Sequence, residues 1–146
     1  MKGWAKLLSL FLFIFAVRYL VTTIIYMKWL HFAIFILFTL FAYFQWNDPD
    51  PLVWIVIYLI VASVAFQAYR GRFYHKVNVG IILIFLVGAA TYVPDLLQWF
   101  RDDMPSLTES MKASSPYIEL VREFFGLIIA IVVMSFYLVL SKKYQS

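Results

Sequence analysis

Not one cysteine occurs among the 146 residues of this chain. That absence removes disulfides, thiolate metal ligands, thiol nucleophiles and covalent haem attachment in one step, and it leaves the redox compartment open. Histidine is nearly as scarce, with two residues, and only 14% of the chain is charged. What fills the space is apolar: 64% of residues are hydrophobic and 21% aromatic. A soluble fold of this length must cover a large surface with polar groups, and this composition cannot supply them. Lipid is the solvent that suits it. The net charge of +4 does not point to nucleic acid, because Lys and Arg stand scattered at the ends of apolar runs and form no stripe between aromatics.

Four stretches are long enough to cross a hydrocarbon core of about 30 Å, which takes roughly 17 to 25 helical residues. They are residues 29–46, 51–69, 77–93 and 116–141. Every backbone donor and acceptor must be satisfied within such a segment, so each is expected to be a helix. The expected fold class is therefore all-α, an integral membrane bundle of four core helices. In domain terms, residues 29–146 form this transmembrane domain and residues 1–28 a hydrophobic helical extension.

Orientation follows from Lys and Arg, which are retained on the cytoplasmic side. Arg70, Arg72 and Lys76 lie between the second and third spans, Lys142 and Lys143 follow the last, and Lys28 precedes the first. The other two connections, counted as residues 47–50 and 94–123 because the last helix starts outside the lipid, hold all eight acidic residues. Both ends of the core should thus face the cytoplasm, with the acidic connections outside. In the long outer connection, Leu96, Leu97, Trp99 and Phe100 beside Asp95 and Arg101 suit an interfacial segment. Ser115 and Pro116 read as the N-cap and first residue of the last helix.

The first 26 residues admit several readings. A signal peptide is disfavoured because no small-residue cleavage site follows "LLSLFLFIFAV". A fifth membrane helix with a sharp bend near Lys28, an in-plane helix, and a natural start at Met27 all stay open. A single helix through to Trp46 would measure roughly 66 Å, too long to span.

The stretch "QWNDPDPLVW" is sufficient as a turn between antiparallel helices. Asn47 tolerates a left-handed helix end, residues before proline avoid helical geometry, and Asp50 with Pro51 makes a helix start. A turn needs only one cap, however, and this one places Asp48 and Asp50 at the membrane boundary beside Gln45, Trp54 and Tyr58. The last helix brings Glu119, Arg122 and Glu123 to the same side, so a four-helix bundle would gather these nine residues, Asn47 included, into one polar mouth.

"QWNDPDPLVWIVIY" together with "ELVREFFGL" resembles the transmembrane protein 220 family of small multipass membrane proteins. The resemblance covers roughly residues 29–141 and falls on Gln45, Asn47, Asp48, Pro49, Asp50, Trp54 and Tyr58, then on Arg122, Glu123 and Gly126. What precedes Met27 departs from the family's pattern. The resemblance implies a fold and a region of interest and carries no activity.

Asp48, Asp50, Glu119 and Glu123 are hard oxygen donors, but Asp-x-Asp is a common spacing and no calcium-loop glycine accompanies it, so no metal and no cofactor are expected. An ion pair between Arg122 and Asp48 or Asp50 is favoured instead. Nearby carboxyls could hydrolyse a lipid headgroup, yet no Ser-His-acid grouping or phosphate-binding glycine loop supports an enzyme. His31, near a helix end, and His75, in a solvated basic loop, lie away from the acids. Within the lipid, taken as residues 29–46, 51–69, 77–93 and 124–141, the core spans hold no Asp, Glu, Lys or Arg of the kind that marks an ion path. An accessory or lipid-binding membrane subunit is the expected role, with the bilayer, a membrane-protein partner or a lipid ligand as its partners. The alternative is a small membrane enzyme, or a transporter-like protein that binds a cation or solute at the acidic turn.

Overall fold

The computed structural model describes residues 2–48, 50–107 and 116–145. Among these the chain is helical, with no strand: α1 spans Lys2–Phe44, α2 Pro51–Tyr69, α3 His75–Thr91, α4 Val93–Arg101 and α5 Pro116–Gln145. A short 3-10 turn, Gln45–Asn47, closes α1. The all-α membrane bundle expected from the sequence is what forms. Three segments are long and apolar enough to cross a bilayer, Ile25–Asn47, Pro51–Tyr69 and Ile118–Tyr144. The remaining expected span, third in sequence, is α3, whose 17 residues reach only about 25 Å. It reaches membrane thickness together with α4, from which it is bent by 44°. Pro94 explains the bend, since it has no N–H for the Ala90 carbonyl and its ring crowds that turn.

The N-terminal hydrophobic helix is continuous with the first core helix, giving α1 its 43 residues and a length of about 64 Å. The bend near Lys28 is absent. Between Lys2 and Phe44 there is no proline, and the only glycine is Gly3, so no residue interrupts the backbone ladder. The described side chains of residues 11–26 are exposed, Phe11 at 66%. The bundle proper begins below them.

Packing follows the order α1, α2, α5, α3. α1 lies against α2, α5 touches both α2 and α3, and α4 folds onto α5. Small residues at helical spacing on α2, Ala62, Ala65 and Ala68, are buried and let its neighbours approach closely. Phe38, Phe85, Met134 and Tyr137 fill the space between helices.

Both histidines differ from expectation. His31 is 4% exposed rather than interfacial, shares a 3.3 Å hydrogen bond with the Tyr137 hydroxyl and sits among the rings of Phe73 and Phe136. His75 is the first residue of α3 rather than a loop residue, and its Nδ1 lies 2.9 Å from Ser141 Oγ. Both are polar fastenings to α5 at the end of the bundle opposite the Asp48 turn.

Candidate functional site

At the other end, the 3-10 turn and the starts of α2 and α5 converge. Gln45 ends up inside because the last turn of α1 tightens before the chain leaves in an extended conformation at Asp48 (φ −75°, ψ 152°). α2 then starts at Pro51 with Asp50 as its N-cap, and Trp54 and Tyr58 fall one turn apart on its buried face. From α5 come Glu119, Arg122 and Glu123, spaced so that all three share one face with Gly126.

These residues enclose a cavity of about 170 Å³ lined by Gln45, Asp48, Trp54, Tyr58, Glu119, Arg122 and Glu123. Seven of the nine residues expected at the polar mouth line it. Asn47 and Asp50 do not; both are exposed, and Asn47 lines a separate surface hollow beside Tyr43, Phe44 and Trp46. The left-handed conformation expected at Asn47 is also absent, since among described residues only Asp103, Met104 and Gly71 have positive φ. A 3-10 turn ends the helix there and needs no left-handed residue. The N-cap expected at Ser115 lies outside the described residues, although α5 does begin at Pro116.

The walls are tied together by hydrogen bonds. Trp54 Nε1 donates to Glu123 Oε1 at 3.1 Å, the Tyr92 hydroxyl donates to the same carboxylate, and the Tyr58 hydroxyl is bonded to the Gln45 side chain. Tyr92 was not among the expected residues. Its signal in the sequence was its place at the end of the third span, immediately before "VPD", on the same side as the acids. Gly126 makes room for this wall, because a Cβ there would stand 2.6 Å from the Tyr58 hydroxyl.

Carboxylate oxygens of Asp48, Glu119 and Glu123 lie within 4.8 Å of one another. Two unit charges at that separation repel by roughly 3 kcal/mol at an effective dielectric near 20. The consequence is visible at Asp48, whose carboxyl is pushed above its usual range by burial and by Glu119 and Asp50, with the Arg122 guanidinium opposing. Arg122 is itself engaged by its neighbours. Three carboxyls facing one guanidinium leave the cavity with an appetite for positive charge. The carboxylate triad has the hard oxygens a divalent cation takes, and the indole and phenol faces offer the π-surface an organic ammonium prefers.

Helices of this length and polarity, closed over a polar site at one end, define an integral membrane protein of the multipass α-helical kind. The family model described as Transmembrane family 220, helix, matches residues 37–139, and the chain belongs to that family. The matched region contains every residue of the cavity. No curated protein and no solved structure matches the chain.

Proposed function

We propose that this chain is a membrane-embedded binding subunit whose end cavity captures a cationic group at the bilayer surface. The observation that carries the reading is the convergence of Asp48 from the α1–α2 turn with Glu119 and Glu123 of α5 onto one cavity walled by Trp54 and Tyr58. Positive charge placed there relieves the repulsion among the carboxyls and meets two aromatic faces. The distribution of Lys and Arg supports a cavity on the outer side, with both ends of the core (residues 29–146) toward the cytoplasm. Arg122 serves this reading as the link between the first hairpin and α5, its charge favouring ionised Asp48.

A second reading, an assembly subunit, is favoured by residues 11–26 of α1, whose described apolar side chains have no cover from the bundle. One experiment separates the two. The protein is extracted gently from its native membrane, and whatever remains in stoichiometric amount is identified by mass spectrometry and metal analysis. A retained lipid, amine or metal that is lost on Asp48→Asn supports capture of a cation. A retained protein, unaffected by Asp48→Asn, supports assembly. Identical contents in the wild type and the variant, with no cationic species in either, refute the cavity reading.

A further inference from the structure

The bundle does not close between α2 and α3. Among the described residues these helices make no backbone contact at any height, because α5 holds them apart. A cleft results, floored by Leu127 of α5, with Val53, Val56 and Ile60 on one wall and Ile84 and Gly88 on the other. It is apolar and opens sideways to the lipid; Val56 and Ile84 are 54% and 69% exposed.

The lining runs over residues 52–60 of α2 and 84–91 of α3, with Tyr92 just beyond, each about 12 Å of helix at 1.5 Å per residue, around a volume of about 550 Å³. Irregular apolar walls of this height, open to the bilayer, suit flexible hydrocarbon. The same faces continue toward the opposite end, where Val64, Gln67, Val77 and Asn78 line a further hollow that ends at Arg72.

The cleft also meets the polar cavity. Tyr92 lines the upper end of the cleft, while its hydroxyl donates to Glu123 inside the cavity. One tyrosine ring separates a place for hydrocarbon from a place for positive charge. We infer that the α2–α3 cleft holds an acyl chain of a bilayer phospholipid with an amine headgroup, the ammonium lying among Asp48, Glu119 and Glu123. The inference rests on the cavity being a cation site and adds the ligand's class. Charge complementarity selects an amine headgroup over an anionic one, since three carboxyls converge on the cavity.

The test uses the full chain reconstituted in vesicles of equal phosphatidylethanolamine and phosphatidylglycerol with matched acyl chains, then released gently and weighed by native mass spectrometry. Phosphatidylethanolamine is expected to be retained in preference. Ile84→Trp and Val56→Trp, each filling the cleft from a lipid-facing position, are expected to lower its retention at least about tenfold. Val132→Trp, on an exposed face of α5 outside the cleft, is the control and should leave retention unchanged. Asp48→Asn should level the two headgroups. If both cleft variants retain the lipid as the wild type does while Asp48→Asn loses it, the cleft inference falls and the cavity reading stands. A wild type with no preference for the amine overturns both. A photo-crosslinker at Ile84 that captures protein instead of lipid overturns the cleft inference as well.

Discussion

The contact between Gly126 and Tyr58 offers the sharpest test of the cavity's construction. In Gly126→Ala the new Cβ would lie 2.6 Å from the Tyr58 hydroxyl, a distance that requires something to move. The ring has little freedom, being packed against Phe38, Phe41 and Trp54 with centroids 6.0, 5.7 and 5.9 Å away. Forcing it aside costs about 1–3 kcal/mol as overpacking and endangers the bond to Gln45, worth about 1 kcal/mol. The better helix propensity of alanine returns at most about 1 kcal/mol. The expected net loss is about 1–3 kcal/mol. Without the hydroxyl the sum changes sign, since the next atoms, Trp54 Cζ3 at 3.6 Å and Tyr58 Cζ at 3.8 Å, are at ordinary contact distance. In a Tyr58→Phe background Gly126→Ala should therefore be neutral or stabilising by up to about 1 kcal/mol. The coupling between the two changes should exceed the roughly 0.5 kcal/mol expected of independent sites. Reversible unfolding in mixed micelles, followed by tryptophan fluorescence, measures all four corners of the cycle. Equal cost of Gly126→Ala in both backgrounds would refute the reasoning.

Four further outcomes are expected. Because the Asp48 carboxyl is raised above 3.8 in the fold, the native state holds an extra proton between the unfolded and folded values. Stability should be greatest below the unfolded value and decline as pH rises through the folded one; Asp48→Asn should flatten this slope in melting curves taken across pH 3 to 8, and an undiminished slope would exclude Asp48 as its source. Trp54→Phe removes the donor to Glu123 and should cost about 1.5–3 kcal/mol if that carboxylate is ionised, read in the same micelle assay; no loss would mean the bond does not contribute. Arg122→Ala should lower the melting temperature or weaken whatever the cavity binds, and a variant unchanged in both would remove Arg122 as the bridge to the first hairpin. The chain has no cysteine, so a single Ser106→Cys should react with an impermeant thiol reagent from outside intact cells, whereas labelling only after lysis would invert the proposed topology.

The legible and illegible parts of this molecule divide along a physical line. Apolar run length and the Asp50–Pro51 start place α2 and the end of α1, and Pro116 marks where α5 begins, because these are local properties of the chain. The face shared by Glu119, Arg122, Glu123 and Gly126 follows from helical spacing alone. Bilayer thickness argues for a break in α1 near Lys28, although what breaks a helix is proline, glycine or a competing bond, and residues 4–44 contain neither proline nor glycine. Tyr92 and the outward placement of Asn47 and Asp50 depend on how the helix ends meet in space. So does the burial of His31 against Tyr137, 106 positions away. The cleft was invisible for the same reason, since it exists only because α5, last in sequence, lies between α2 and α3.

That placement of α5 also ties the stability of the bundle to the chemistry of its end. Trp54 is 2% exposed and belongs to the same buried cluster as Phe38, Leu127 and Met134, yet its indole nitrogen holds a carboxylate of the cavity. Tyr58 belongs to that cluster too, and its hydroxyl sets the room left at Gly126. A carboxyl anchored by core aromatics cannot swing out to solvent to relieve its repulsion from Asp48 and Glu119. Such repulsion can be lowered by taking up a proton, as the raised Asp48 carboxyl indicates, or by taking up a cation. The two compete for the same charge, so a bound cation should displace the proton, and its capture should weaken as pH falls. A cation that binds equally well above and below the titration of Asp48 would have to be held elsewhere.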